Sequence, residues 1–125
     1  MDVATGTPEM ASDLQVGAAQ LILVDEAAQA TEPMTLIPLK LAGTDTHAVL
    51  IGDHRQLAPT VLSTEAEFDG LGTSMFERLI RVGGIDPWML TVQYRMHESI
   101  CSWPIREFYM GKLLCHSSVC ARDRV

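Results

Sequence analysis

At 125 residues, 47% of them hydrophobic, the chain is long enough for one packed core and too short for several domains of ordinary size. Its formal net charge of −7 excludes a broad basic surface, so any grip on nucleic acid has to come from local groups rather than bulk attraction. The longest apolar runs are of strand length, far below the roughly 20 residues a membrane helix needs, and no basic-then-apolar leader opens the sequence, so the expectation is no membrane partner and an intracellular, cytoplasmic or nuclear location.

In chain order, a first strand is expected before Thr5. Apolar runs rich in Val, Ile and Leu then predict strands over residues 20–24, 48–51 and 89–92, each closed by polar residues, the pattern of strands buried on both faces of a parallel sheet. Between the first two, Thr31 is placed to cap a helix entering through Glu32 and Pro33, and Pro38 is expected to kink or end it. Residues 43–46 and 63–72 read as loops. The clearest helix is 75–82: Ser74 and Glu77 form an S-x-x-E capping box, Phe76, Leu79 and Ile80 share a face, and Gly83 stops it. A last helical stretch, 97–109, is expected to break near Pro104. Strands alternating with helices imply an α/β fold with a doubly wound parallel sheet, whose ligands bind outside the carboxyl ends of the strands.

Those strand ends carry the chemistry. The run Leu21-Ile22-Leu23-Val24 delivers Asp25 and Glu26 together. This is a Walker B arrangement, in which the Asp can hold magnesium through water and the Glu can polarise the water that attacks a γ-phosphate; an ordinary solvated turn is the plain alternative. The second strand leaves through Gly52, Asp53, His54, Arg55 and Gln56. Gly52 permits close backbone approach, Gln56 is a neutral group suited to orienting water or a γ-phosphate oxygen, and Asp53 could equally cap a helix or turn, with His54 a surface residue. The third strand runs into Gln93-Tyr94-Arg95-Met96-His97. An arginine there can present its planar fork to a phosphate and a tyrosine can stack on a base, although a core tyrosine and a surface arginine read the same way.

Three cysteines, Cys101, Cys115 and Cys120, cannot all pair with one another and form no disulfide framework, which predicts free thiols. Cys115, His116 and Cys120, with His97 and Cys101 nearby, hint at zinc, but the lack of any CxxC pair weighs against it.

Taken together and in order, these clusters resemble the superfamily I helicases of the nonsense-mediated-decay group, which includes senataxin-like enzymes. Val24-Asp25-Glu26-Ala27-Ala28-Gln29-Ala30-Thr31-Glu32-Pro33 is similar to motif II of that family, and Gly52-Asp53-His54-Arg55-Gln56-Leu57-Ala58-Pro59 to its motif III. Gly72-Thr73-Ser74-Met75-Phe76-Glu77-Arg78-Leu79 resembles its SLFERL helix, and Gln93-Tyr94-Arg95-Met96-His97, continued by Phe108-Tyr109-Met110-Gly111, the entry to its second motor domain. The resemblance implies a partial RecA-like, P-loop NTPase fold, with residues 1–88 the later part of the first motor domain and 89–125 the start of the second. It implies ATP and Mg2+ as cofactors, with Asp25 on the metal, Glu26 as general base, Gln56 sensing the γ-phosphate and Arg95 stabilising its developing charge. Tyr94 would stack on adenine and Asp53 would help bind the nucleotide. Thr5 and Gly6 fall near the strand-contacting motif, and Pro59 and Thr60 where motif III couples nucleotide to nucleic acid. The implied partners are single-stranded RNA or DNA and the rest of a helicase chain.

The sequence contains no G-x-x-x-x-G-K-[ST]; its Gly111-Lys112 pair is followed by Leu113. The nest and lysine that cradle β- and γ-phosphates must then come from other residues, and the expectation is an ATP-dependent helicase that these residues alone do not run. A non-catalytic interaction module derived from such a motor is the alternative.

Overall fold

In the computed structural model of the protein, residues 18–120 are described; the strand expected before Thr5, and Thr5 and Gly6 themselves, lie outside them. The chain divides into two compact units, Met1–Gly83 and Gly84–Val125.

The first unit is built on β1 (Ala19–Val24), α1 (Glu32–Leu39), β2 (Ala42–Leu50), the short α2 (Thr64–Ala66) and α3 (Met75–Arg81). β1 and β2 pair in parallel, with Leu21 opposite His47 and Val24 opposite Leu50. A parallel pair needs a crossover between its strands, and α1 supplies it. β2 begins well before the predicted 48–51, and the loop expected at 43–46 lies inside its span. Those residues are nevertheless irregular: between the pairs Ala19–Ala42 and Leu21–His47, β1 advances two residues and β2 five. The surplus is a bulge in which the Gly43 amide donates to Thr46 Oγ1 at 2.7 Å and the Thr46 hydroxyl donates to the Ala19 carbonyl.

The expectation of strands buried on both faces is corrected. Ile22 is buried, but Leu21 and Leu23 are 55% and 60% exposed, so β1 is covered on one side only. The α/β class and the parallel pairing hold, while the sheet among the described residues has two strands. Among the described residues of this unit, Ile22, Ala27, Ala28, Thr35, Pro59, Ser74 and Met75 are buried.

α1 starts as expected, with Pro33 in its first turn, where a missing amide hydrogen is harmless. Thr31 occupies the cap position, but its hydroxyl makes no capping bond; its backbone carbonyl accepts from Met34 and Thr35 instead. α1 runs one residue past Pro38 before ending. The predicted loop at 63–72 contains α2, capped by Ser63 accepting from the Ala66 amide at 3.2 Å, followed by a wide helical turn over Glu67–Leu71 that Gly70 closes at φ 100°. α3 keeps half of its capping box: Ser74 Oγ accepts from the Glu77 amide at 3.1 Å, while the Glu77 carboxylate turns to Arg81 at 2.8 Å.

The second unit holds β3 (Val92–Gln93), α4 (Glu98–Tyr109), β4 (Leu114–Cys115) and α5 (Ser117–Cys120). The strand predicted at 89–92 is displaced to β3, which pairs in parallel with β4, Val92 opposite Leu114 and Gln93 opposite Cys115. The predicted break at Pro104 does not occur. α4 continues through it, and the Ile100 carbonyl that loses its donor lies at a residue 65% exposed, where water can replace the missing bond. Cys101 and Val119 are fully buried here. Among the described residues no helix is long and apolar enough to cross a membrane.

Candidate functional site

The carboxyl ends of β1 and β2 lie side by side, because the parallel pairing continues past both strands. The Ile51 amide donates to the Val24 carbonyl and the Ala27 amide to the Ile51 carbonyl, each at 2.8 Å. Gly52 then presses directly on the loop that follows Asp25 and Glu26. A Cβ at position 52 would stand 2.8 Å from the Ala28 amide nitrogen and 3.2 Å from that of Ala27. The close approach expected of Gly52 is realised, and it explains why Ala27 and Ala28 are buried just after an exposed acidic pair.

Within this corner the local bonds fix the side chains. Asp25 Oδ1 accepts from the Glu26 amide at 2.9 Å, and Glu26 Oε2 accepts from Gln29 Nε2 at 3.1 Å. Glu26 sits at φ 50°, a left-handed backbone that costs a side-chain-bearing residue about 1–2 kcal/mol and turns the chain sharply as it leaves the strand. Both carboxylates are exposed, and neither forms an ion pair among the described residues. Two unneutralised carboxylates at a strand terminus, facing solvent, suit a hard divalent cation bound through water.

Asp53 shapes the facing turn. Its Oδ1 accepts from the Arg55 amide at 2.9 Å, its Oδ2 from Gln56 Nε2 at 2.8 Å, and its carbonyl from the Gln56 amide at 3.1 Å. Asp53 is thus a turn cap and, through that role, the group that orients the Gln56 amide. Asp25, Glu26, Asp53 and Gln56 are brought to one corner of the first unit.

α3 braces that corner twice. Arg78 grips Glu32 with a two-pronged pair, Nε to Oε2 at 2.7 Å and Nη2 to Oε1 at 2.6 Å. This hydrogen bond and the charge behind it hold the Glu32 carboxyl below its ordinary value and the Arg78 guanidinium above its own. The Phe76 ring lies 6.3 Å from the ring of His54, centroid to centroid, so His54 is half-buried rather than a free surface histidine.

In the second unit, Tyr94 and Arg95 share one turn beyond β3, and Gln93 builds it. Gln93 Oε1 accepts from the Arg95 and Met96 amides at 2.9 and 2.8 Å; its Nε2 donates to the Met96 carbonyl at 2.6 Å and to Cys115 Sγ at 2.9 Å. Arg95 itself is exposed and forms no ion pair among the described residues. Tyr94 is 59% exposed, with the His116 ring 4.5 Å away.

All three cysteines are free. Burial, followed by the neighbouring Cys115, pushes the Cys101 thiol up to about 11, and burial also raises Cys120. No group of three His, Cys, Asp or Glu among the described residues is arranged to hold a metal ion. A cavity of about 400 Å3 is lined by residues that include Glu98, Ile105, Leu114, Cys115 and Cys120, and by none of the six nominated site residues.

Sequence reasoning missed Ala27 and Ala28 as the seat of Gly52, Gln93 as the builder of the arginine turn, His116 beside Tyr94, and the Glu32–Arg78 pair. The last left a charge signal, an acidic residue and a basic one each inside a recognisable motif.

Two family models, each described as an AAA domain, match residues 4–64 and 71–125. The chain is 46% identical over 103 residues to the regulator of nonsense transcripts 1 homolog of Drosophila melanogaster, covering 82% of this chain and 8% of that protein. It is 52% identical over 93 residues to the probable helicase MAGATAMA 3 of Arabidopsis thaliana, covering 74% and 11%. With the ATP-dependent helicase upf1 of Schizosaccharomyces pombe the identity is 46% over 92 residues, covering 74% and 10%. The chain thus spans about a tenth of the length of each of these relatives.

Proposed function

The chain belongs to the superfamily I helicases of the nonsense-mediated-decay group, and on that premise we propose that it is part of an ATP-dependent motor that moves along single-stranded RNA or DNA or unwinds duplexes. The observation that carries this reading is the shared corner at the ends of β1 and β2, where an exposed acidic pair and the turn that orients a glutamine leave adjacent strand ends. Magnesium-bound ATP supplies the phosphoanhydride to be cut; everything else falls to this chain and its neighbours.

In this reading Asp25 would hold the cation, Glu26 would take the proton of the attacking water, and Gln56, steered by Asp53, would orient that water or sense the γ-phosphate. Arg95 lends its fork to the charge that develops on the phosphoryl group, and Tyr94 stacks on the base. The phosphate cradle comes from residues beyond this sequence, which has no G-x-x-x-x-G-K-[ST]. Residues 1–88 are read as the later part of a first RecA-like lobe and 89–125 as the opening of a second, a division supported by the boundary between the two units at Gly83 and Gly84. The name of one relative, a regulator of nonsense transcripts, supports RNA as a track, and the location is read as cytoplasmic or nuclear.

The test is duplex unwinding and ATP hydrolysis by the full-length protein, on matched RNA and DNA substrates, with Glu26→Gln and Arg95→Ala compared to wild type. Both variants should lose unwinding while remaining folded. Normal unwinding by both would overturn the assignment, and absence of turnover in the wild type would favour a non-catalytic module.

A further inference from the structure

β4 is two residues long, and its effect is local. By pairing Gln93 with Cys115 in parallel it brings the next residues of each strand, Tyr94 and His116, into contact. Their ring centroids are 4.5 Å apart and their planes 32° from parallel, a tilted contact at the near end of the distances at which aromatic pairs attract. His116 is firmly held. Its amide donates to the Gln93 carbonyl at 3.0 Å, and its Nδ1 accepts from the Ser118 amide at 3.2 Å with the Ser118 hydroxyl at 2.9 Å. A ring nitrogen that accepts an amide hydrogen leaves the neutral imidazole's proton on Nε2, so the ring is fixed in tautomer as well as position.

Tyr94 is more exposed than not. A phenol with two open faces can swing and take a flat ligand on either; one backed on a single face is set in place for a ligand on the other. We propose that His116 is a positioning residue for the nucleotide base: its imidazole backs Tyr94 and presents the remaining face of the phenol to a purine. The inference rests on the reading of Tyr94 as the base-stacking residue given above. Because stacking on a pre-set ring contributes to binding and not to the chemical step, losing His116 should weaken ATP without slowing bound ATP.

The experiment measures KM and kcat for ATP in the full-length protein carrying His116→Ala, His116→Gln, His116→Phe and, as reference, Tyr94→Ala. The two ringless His116 variants should raise KM about three- to tenfold at unchanged kcat, the span of a lost ring contact, and His116→Phe should return KM to near wild type. If Tyr94→Ala raises KM and the His116 variants do not, the inference is wrong while the reading of Tyr94 stands. If Tyr94→Ala leaves KM unchanged, that reading falls and takes this one with it. A fall in kcat and melting temperature without a change in KM, or failure of both ringless variants to fold, would make His116 purely structural and overturn the proposal.

Discussion

Arg78 and Glu32 face one another through two parallel N–H···O bonds of 2.7 and 2.6 Å, joining a helix to the segment that follows the acidic pair. Such fork-to-fork geometry fixes direction as well as distance. Both partners reach solvent, their side chains 44% and 30% exposed, so the pair matters for register more than for stability. The first prediction is that Arg78→Ala and Glu32→Ala cost little each in melting temperature, are not additive together, and both reduce ATP turnover. Additive effects in a double-mutant cycle would sink the pairing as a functional brace.

The same pair sets a pH dependence. Arg78 lowers the Glu32 carboxyl in the folded protein, so the stability it contributes is complete above the ordinary value of 4.5 and fades as pH falls through the lowered one. Thermal melts of wild type and Arg78→Ala should differ at pH 7 and converge in strong acid.

Glu26 allows function to be separated from backbone strain. Glu26→Gln should cut ATP hydrolysis by a factor of about 10² to 10⁴, the usual worth of a positioned base, while nucleotide still binds. At φ 50° a glycine is at ease and an alanine is not, so Glu26→Gly should be about 1 kcal/mol more stable than Glu26→Ala in denaturant unfolding. Equal stability would contradict the left-handed backbone at this position.

Gly52→Ala should destabilise the protein by roughly 1–3 kcal/mol, since the new methyl meets backbone nitrogen rather than a side chain that can move aside. Chemical denaturation checks this, with Gly84→Ala as a comparison at a site where a Cβ meets nothing within 4 Å but the φ of 65° is unfavourable.

In the second unit, Gln93→Leu should cost about 1–3 kcal/mol and lower hydrolysis, because the Arg95 and Met96 amides lose their acceptor together. Cys101 offers a chemical readout of the same packing. Fully buried and with its thiol pushed up to about 11 from 9.0, Cys101 should be modified by iodoacetamide at pH 8 far more slowly than an exposed cysteine, since the reagent needs access to a thiolate. Mass mapping of a timed labelling reaction gives the answer.

Much of the fold was legible because the signals were local. The apolar run before Asp25 announced β1, and Ser74 announced the start of α3 through a bond that the structure contains. What stayed hidden depended on partners distant in sequence. Nothing near residue 43 reveals that β2 begins early and bulges, since the cause is Ala19, more than twenty residues away. Likewise Leu21 and Leu23 carry the composition of a strand covered on both faces, and only the absence of a covering layer among the described residues shows that one face is open. Among the site residues, Asp25, Glu26, Asp53 and Gln56 could be nominated because strand ends expose polar groups. Gln93 and His116 were visible within or beside motifs, but a glutamine and a histidine have no periodic signature, and their roles appear only once β3 and β4 pair.

The contact at Gly52 has a mechanical meaning. Where backbone rests on backbone with no side chain between, there is no soft layer to absorb a displacement. With the acidic loop where it is, position 52 therefore tolerates nothing larger than a hydrogen atom.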